Sequence, residues 1–277
     1  MKRIILLGII LVNTFLAYAH EQDSIKVENW LKEAISLPQD SCRTLHFAKQ
    51  MLGVPYVAAT LDGNEEEQLV VHVDQLDCTT FVETVLALCI ADKRDARSFD
   101  GFKKALTDVR YRDGHLDGYA SRLHYFSDWI RNKEQMGFVK ECTSETSCAQ
   151  PQELWLNFMT THVDSYQPMK KNPALVEVMA AQEKHWQGTI VSYIPKEKLN
   201  LPPEELKIKD GDILAMVTNI KGLDIVHVGF AFWKDNHLHL LHASSSAKKV
   251  IEDPKTQYES SGKTKAHIGL RAIRVVY

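Results

Sequence analysis

Apolar and polar positions follow different periods in the two halves of the chain. In the first half apolar residues recur at helical spacing, which predicts helices over residues 27–35, 40–51, 78–90, 98–109 and 119–134. The second half contains short β-prone runs, which predict strands over residues 189–194, 212–217, 225–233, 237–243 and 268–276. Helices followed by strands indicate an α+β domain, with N-terminal helices packed on a mostly antiparallel sheet.

Capping residues and the remaining segments complete the predicted organisation. Asp40 and Ser98 carry side chains favoured at N-caps, so we expect each of them to begin a helix. Residues 135–187 follow neither period clearly, and we expect an irregular, partly helical insertion there. No repeat, low-complexity tract or long flexible linker is evident, so residues 20–277 are predicted to form a single domain.

Residues 1–19 have the pattern of a secretory signal peptide. Lys2 and Arg3 supply positive charge, residues 4–16 form an apolar run, and residues 17–19 form a small-x-small cleavage site. The apolar run is shorter than the roughly 20 residues of a membrane-spanning helix, and no cysteine follows it for lipid attachment. We therefore expect an exported protein, periplasmic or extracellular, without a stable membrane anchor.

Composition and cysteine content limit the binding partners and the disulfides that the chain is expected to have. The formal net charge of −3 gives no basis for nucleic-acid binding, and no Gly-rich phosphate loop is evident. We therefore expect no nucleic-acid partner and no cofactor. We also expect a monomer. The odd number of cysteines, five, leaves at least one thiol unpaired in an oxidising compartment. Cys142 and Cys148 flank a polar stretch that a local disulfide would close, whereas Cys89 is typical of a buried small hydrophobe.

Cys78 stands at the start of an apolar helix and is the candidate nucleophile. At a helix N-terminus the unpaired backbone N–H groups and the helix dipole favour the thiolate and can hold a developing oxyanion. Asp77 can cap this helix, although its negative charge opposes ionisation of Cys78. Cys78 therefore needs a base.

His227 is the candidate base because of its place on a predicted strand. In the run 225–232 the even positions are large and apolar, which leaves His227 on the opposite face with Gly229 and Ala231. A two-residue hairpin turn at Asp235-Asn236 would pair Gly229 with His242 and make the two histidines diagonal neighbours, so that His242 could orient His227.

A metal site is the rival explanation for the histidines of the following strand. His237 and His239 would point to one face of that strand and His242 to the other, so the three would not converge on one ion. We expect no metal, and we expect His237 and His239 to be solvated.

These segments together resemble the NlpC-type superfamily of papain-like bacterial cell-wall cysteine peptidases. The resemblance rests on Gly53-Val54-Pro55-Tyr56, Asp77-Cys78, Gly211-Asp212-Ile213, His227-Val228-Gly229 and the polar His242. The superfamily usually has Ser-Gly after the cysteine, where this chain has Thr79-Thr80. Segments 76–84, 121–129 and 241–245 are similar to a narrower branch, regarded as N-acetylmuramoyl-L-alanine amidase-like.

The resemblance implies a papain-like fold and a peptidoglycan hydrolase acting on muropeptides. In this chemistry Cys78 attacks, His227 is the general base and His242 orients it. The implied bond lies between N-acetylmuramic acid and L-alanine. Candidate substrate-binding residues in the same cleft are Tyr56, Asp77, Thr79, Arg122, His124, Tyr125, Asp128, Asp224, Ser244 and Ser245.

Two alternatives remain open at this point. More common relatives of the superfamily cut the γ-D-glutamyl bond to the diamino acid, and residue spacing does not decide between the two amides. A non-catalytic wall-binding protein, in which Cys78 is a buried thiol, is the second alternative.

Overall fold

The computed structural model describes residues 21–276 of the chain, so the signal peptide predicted for residues 1–19 lies outside the described part. The described chain begins in helix α1, residues 21–34. Nine further helices follow in the described residues: α2 (Arg43–Gln50), α3 (Cys78–Lys93), α4 (Phe99–Arg110), α5 (Phe126–Gln135), α6 (Phe158–Thr161), α7 (Gln167–Lys171), α8 (Pro173–Lys184), α9 (Pro203–Leu206) and α10 (Gln257–Ser261).

Eight strands form one antiparallel sheet. They are β1 (Val139–Glu141), β2 (Gln150–Leu154), β3 (Thr189–Pro195), β4 (Ile213–Thr218), β5 (Ile225–Lys234), β6 (His237–Ser244), β7 (Lys249–Glu252) and β8 (His267–Val275). The strand order is β2-β3-β8-β4-β5-β6-β7, and β1 pairs with the end of β8 that β3 leaves free. The predicted α+β architecture with a mostly antiparallel sheet is therefore confirmed.

The sheet is covered on both faces, and β4 shows this in its alternating side chains. Ile213 and Ala215 point into the core that α2, α3 and α4 form with the sheet, while Leu214 and Met216 face a second apolar cluster. Within the first core α3 is buried on every side over most of its length. Phe81 of α3 packs edge-on against Phe230 of β5, with ring centroids 5.6 Å apart. This contact fixes the start of α3 relative to the middle of the sheet.

A buried ion pair joins α3 to α4. The Arg110 guanidinium donates to the Glu83 carboxylate at 2.7 Å, and both side chains are almost completely shielded from solvent. Arg110 also donates to the carbonyl of Val70, in the loop that leads into α3. Removing one partner of such a pair leaves an uncompensated buried charge, so the pair holds the two helices and this loop in one arrangement.

The β5–β6 hairpin has the predicted register. Asp235 and Asn236 form its two-residue turn with φ of 52° and 60°, and Trp233 lies opposite Leu238. A β-bulge interrupts the pairing of β4 with β5, because Met216 pairs with His227 but Val217 pairs with Ile225. The extra residue, Val226, changes the alternation of β5 immediately before His227.

Several predicted details are wrong. Asp40 does not cap α2, because residues 38–41 form a turn closed by the Ser41 N–H and the Pro38 carbonyl, and Cys42 takes the N-cap position. The helix predicted over 119–134 begins only at Phe126, since residues 119–121 form a single 3₁₀ turn and the backbone is extended at Arg122. Strands β1, β2 and β7 were not predicted.

The segment 135–187 is more ordered than predicted. It contributes β1 and β2 to the main sheet and contains α6, α7 and α8. Its apolar residues form a separate cluster with the segment before α5, made of Tyr119, Tyr125, Leu154, Leu156, Met159, Met169, Met179 and Trp186. In the described residues no helix combines the length and apolarity needed to span a bilayer.

Cys142 and Cys148 do not form the expected disulfide. The Cys142 thiol is buried and donates to the carbonyl of Ala272 on β8, and the Cys148 thiol lies 3.1 Å from the Thr146 hydroxyl. Each thiol thus has its own hydrogen-bonding partner, Ala272 for Cys142 and Thr146 for Cys148. Cys89 is fully buried in the core, as predicted.

The hairpin register generates a prediction about Gly229, which packs directly against His242. A Cβ at this position would lie 2.8 Å from the His242 Cβ and 2.8 Å from the Leu241 carbonyl oxygen. We expect Gly229→Ala to lower the free energy of unfolding by about 1–3 kcal/mol, measured by urea denaturation. Gly262→Ala is the control, since its added Cβ would meet nothing closer than 3.7 Å. Equal stability of the two variants would contradict the packing described.

Candidate active site

The first element of the site is the start of α3, where Cys78 is the first helical residue. The Asp77 carboxylate accepts from the Thr80 backbone N–H at 2.8 Å, and the Asp77 N–H donates to the Thr80 hydroxyl at 2.9 Å. This capping box fixes the first turn. Asp77 is therefore occupied in shaping the helix start. The backbone N–H groups of Cys78 and Thr79 carry no such cap.

The Cys78 thiol lies among backbone and side-chain groups from three segments. Contacts with the backbone N–H of Val228 and with Thr79 stabilise its ionised form. Tyr56 lies close by, because its backbone bridges Leu76 just before the start of α3. Burial raises the pKa of its phenol, and the nearby Cys78 and Asp77 raise it further. The half-buried thiol is thus adjacent to the backbone of β5 at the residue that follows His227.

Burial controls the protonation state of this thiol. Loss of solvent, reinforced by the Asp77 carboxylate, raises the pKa of Cys78 to about 11. Desolvation and the neighbouring carboxylate thus outweigh the helix dipole, which by itself favours the thiolate. At neutral pH the thiol is therefore protonated, so Cys78 would need a base in order to act as a nucleophile.

The second element is a direct contact between two imidazoles. The Nε2 atom of His227 lies 2.5 Å from the Nδ1 atom of His242, and the rings meet edge-on at 84° with centroids 4.8 Å apart. Burial lowers the pKa of His227 to about 3, with smaller contributions from the neighbouring His242 and His267. This imidazole is therefore neutral at physiological pH. Burial also lowers the pKa of His242. The contact leaves Nδ1 as the His227 nitrogen available to another partner.

Behind the two histidines lies a cavity of about 480 Å³. Ser244 and Ser245 line it, as do Met216 and Leu240 from the sheet. The Ser244 hydroxyl lies 3.0 Å from that of Ser246, and it accepts from the Ala247 N–H. Of the ten predicted substrate-binding residues, the structure thus places Ser244 and Ser245 at this cavity, and Tyr56, Asp77 and Thr79 beside the thiol.

The structure pairs Arg122, His124 and Asp128 with other protein groups. Arg122 is buried, donates to the Asp62 carboxylate at 2.9 Å and lies over the Tyr119 ring. The His124 Nε2 contacts the Tyr119 carbonyl at 3.0 Å, and burial lowers the pKa of this imidazole to about 3. The Asp128 carboxylate accepts hydrogen bonds from both terminal nitrogens of Arg112, at 3.2 Å and 2.5 Å.

Tyr125 and Asp224 are also occupied internally. The buried Tyr125 hydroxyl donates to Glu183 at 2.7 Å and accepts from the Met159 N–H. Asp224 is only 2% exposed, and its two oxygens accept from the backbone N–H groups of Ser127 and Ile225. Asp224 thereby caps the start of α5 from a distant part of the chain. None of these five side chains contacts the Cys78 thiol or the two imidazoles.

Several residues around the two histidines were not predicted from the sequence. His267, at the start of β8, lines the cavity, and its Nε2–H donates to the Gly269 carbonyl oxygen at 2.7 Å. Asp253, Lys255 and Lys263 line the other side, from the segment between β7 and β8. The predicted strand over 268–276 was the one signal near His267, while the segment 253–264 has no clear period.

Other histidines lie outside this arrangement. His237 is exposed, but His239 is only 7% exposed, since its ring stacks on Phe232 and its Nδ1 contacts the Asp253 carbonyl. The expectation of solvated positions is therefore wrong for His239. Among the described residues, Asp23, His72 and Asp74 bring three potential metal-binding atoms within 4.8 Å of one another, and this group includes none of Cys78, His227 and His242.

Comparison with known proteins identifies similar chains. Residues 46–265 match a family described as AmiA-like, N-acetylmuramoyl-L-alanine amidase-like. A crystal structure of an N-acetylmuramoyl-L-alanine amidase from Bacteroides uniformis is 39% identical with a TM-score of 0.79, and the match covers 85% of this chain and 98% of that one. A Bacteroides fragilis protein, provisionally described as a xylanase, is also 39% identical, with a TM-score of 0.77 over 83% and 99% of the two chains.

A more distant likeness concerns the fold alone. A protein from Legionella pneumophila is 23% identical with a TM-score of 0.73, over 94% of this chain and 97% of that one. Comparison with curated proteins gives no match.

The protonation state of Cys78 predicts its reactivity with iodoacetamide. With a pKa of about 11, only about one thiol in a thousand is ionised at pH 8, so alkylation should be slow there and rise about tenfold per pH unit up to pH 11. Asp77→Asn keeps a capping side chain but removes the negative charge that raises this pKa, so it should speed alkylation at pH 8. Mass spectrometry of the peptide that carries Cys78 measures both rates. Titration at or below the ordinary value of 9.0 would contradict the burial argument.

Proposed function

Because the chain belongs to the AmiA-like, N-acetylmuramoyl-L-alanine amidase-like family, we propose that it is a cysteine-dependent peptidoglycan amidase of the papain-like, NlpC type. Its substrate is a muropeptide, and the bond cut joins the lactyl group of N-acetylmuramic acid to L-alanine. The observation that carries the proposal is the contact between His227 and His242 beside the segment of β5 that touches the Cys78 thiol.

Catalysis starts from a neutral pair, because burial keeps the Cys78 thiol protonated and His227 uncharged. As the Cys78 sulfur attacks the lactyl carbonyl carbon, His227 Nδ1 takes the thiol proton. Collapse of the tetrahedral intermediate forms a muramoyl thioester and breaks the amide. The departing nitrogen of L-alanine receives the proton from His227. Water then hydrolyses the thioester with His227 as base, which restores the thiol.

The start of α3 supplies the groups that stabilise the oxyanion. The Thr80 N–H is taken by Asp77, so the N–H groups of Cys78 and Thr79 are the ones available at this helix terminus. Tyr56 lies near the thiol and its pKa is raised, so its hydroxyl stays protonated and can donate to the substrate.

His242 positions the base. It accepts a hydrogen bond from the His227 Nε2–H through its own Nδ1, which fixes the His227 ring and leaves Nδ1 of His227 unprotonated toward the thiol. In the charged intermediate the same bond stabilises the imidazolium of His227.

The xylanase description of the Bacteroides fragilis relative is a reason to consider glycoside hydrolysis. Most glycosidases use a pair of carboxylates that flank the scissile bond. Among the described residues that line the cavity, Asp253 is the single carboxylate. This composition favours amide hydrolysis by the Cys78 and His227 pair.

We also propose that the protein acts outside the cytoplasm. Peptidoglycan lies outside the cytoplasm, which agrees with the export signal predicted for residues 1–19. We extend the proposal to a monomer that acts there without a membrane anchor.

Mass spectrometry of defined muropeptides tests the bond that is cut. Fragments with normal and with anhydro sugar ends are incubated under reducing conditions with the protein and with Cys78→Ala as control. We expect release of a free peptide that begins with L-alanine, by the unsubstituted protein alone. Release of L-Ala-D-Glu still joined to the sugar would indicate the γ-D-glutamyl endopeptidase, and absence of cleavage would favour a wall-binding protein.

The positioning role of His242 predicts a selective effect on turnover. Loss of the His227 contact should lower kcat of His242→Ala by roughly 10²–10⁴-fold, the range for a misplaced general base, with a much smaller change in KM. His242→Asn, whose side-chain oxygen can accept from His227, should recover part of the loss. His237→Ala is the control, because His237 is exposed on the same strand. Equal kcat values for the two alanine variants would contradict this role.

A further inference from the structure

One nitrogen of the histidine pair has no partner. The Nε2 atom of His242 is buried and makes no hydrogen bond within the described residues, while its Nδ1 is taken by His227. The side chain is 9% exposed and lines the cavity of about 480 Å³. Buried polar groups in proteins are nearly always paired, so this nitrogen points to a hydrogen-bonding ligand in the cavity.

The charged groups of the cavity favour an anion. Lys255 and Lys263 line it, and the neighbouring Lys255 lowers the pKa of Lys263, an arrangement of like charges that an anion stabilises. Asp253 is the single carboxylate among the described lining residues, and its two oxygens already accept from the Ser260 hydroxyl and the Lys255 N–H.

We infer that this cavity binds a carboxylate, which accepts a hydrogen bond from His242 Nε2–H and lies beside Lys255 and Lys263. The inference rests on the proposed function, because the peptide stem of a muropeptide carries carboxylates. A small free carboxylate such as acetate has the same chemistry. Through this site the ligand would contact the protein on the side of His242 that faces away from His227.

Binding of the carboxylate would determine which ring nitrogens of His242 and His227 carry protons. A carboxylate at Nε2 selects the His242 tautomer with its proton on Nε2 and a lone pair on Nδ1. Nδ1 then accepts from His227 Nε2–H, and His227 Nδ1 is left free to take the thiol proton. No proton is transferred on binding, and the negative charge stabilises the His227 imidazolium that forms during attack. The carboxylate would thus fix the tautomer and stabilise the imidazolium, as the aspartate does in a Ser-His-Asp triad.

Calorimetry with the Cys78→Ala protein tests the inference without turnover. The probes are L-Ala-γ-D-Glu-diaminopimelate, the same tripeptide with its carboxylates amidated, and acetate. We expect the Lys255→Gln/Lys263→Gln variant to bind the acidic tripeptide roughly tenfold or more weakly, by loss of charge-assisted hydrogen bonds. Lys265→Gln, an exposed neighbour that does not line the cavity, should bind it normally. Equal affinities of the two lysine variants, or equal binding of the amidated tripeptide, would overturn the inference.

Nitrogen NMR of the His242 ring shows whether the ligand binds there, and it distinguishes a peptide carboxylate from a free one such as acetate. The acidic tripeptide should shift the His242 Nε2 resonance, and an unmoved resonance at saturation with both the tripeptide and acetate would overturn the site. A shift with acetate alone would support the carboxylate site and assign it to free anions. Failure of the proposed function is distinguishable, since it would appear as absence of muropeptide cleavage by the active protein while this binding pattern persists.

Discussion

The register of the β5–β6 hairpin is the constraint on which the site depends. The Asp235-Asn236 turn, with positive φ at both residues, sets Trp233 opposite Leu238 and, further along, Gly229 against His242. Since side chains alternate between the faces of a sheet, a slip of one residue would carry His242 to the other face. The absence of a side chain at Gly229 lets the strands approach, and the two imidazoles meet at 2.5 Å.

Desolvation then decides what chemistry this geometry can perform. The helix dipole at the start of α3 favours a thiolate, but burial and Asp77 raise the pKa of Cys78, and burial lowers that of His227. Both groups are therefore uncharged before the substrate binds. A protonated thiol is less easily oxidised than a thiolate, and in the proposed mechanism it loses its proton during attack.

The parts of the fold governed by local pattern could be predicted from the sequence. Strands β3, β4, β5, β6 and β8 follow from their sequence pattern, and the two-residue turn at Asp235-Asn236 predicts that His227 and His242 are neighbours. The start of α5 could not be predicted, because its cap is Asp224, almost a hundred residues further along the chain. For the same reason the internal partners of Arg122 and Tyr125 could not be foreseen.

The rest of the site was missed because its residues carry no periodic signal. Asp253, Lys255 and Lys263 belong to the connection between β7 and β8, and they reach the cavity only through the tertiary fold. The burial that raises the pKa of Cys78 is likewise a property of the packed core. Sequence therefore indicates the chemistry of the pair, and the structure supplies its protonation state and surroundings.

The central claim is that Cys78 carries the muramoyl group as a thioester, and acid quenching of the reaction tests it directly. The protein is mixed with a muropeptide, stopped within the first turnover, digested and analysed by mass spectrometry. We expect the peptide that contains Cys78 to gain the mass of the sugar-linked lactyl acyl group, without L-alanine. An adduct that also contains L-Ala-D-Glu, an adduct on another residue, or free product formed with no adduct would contradict it.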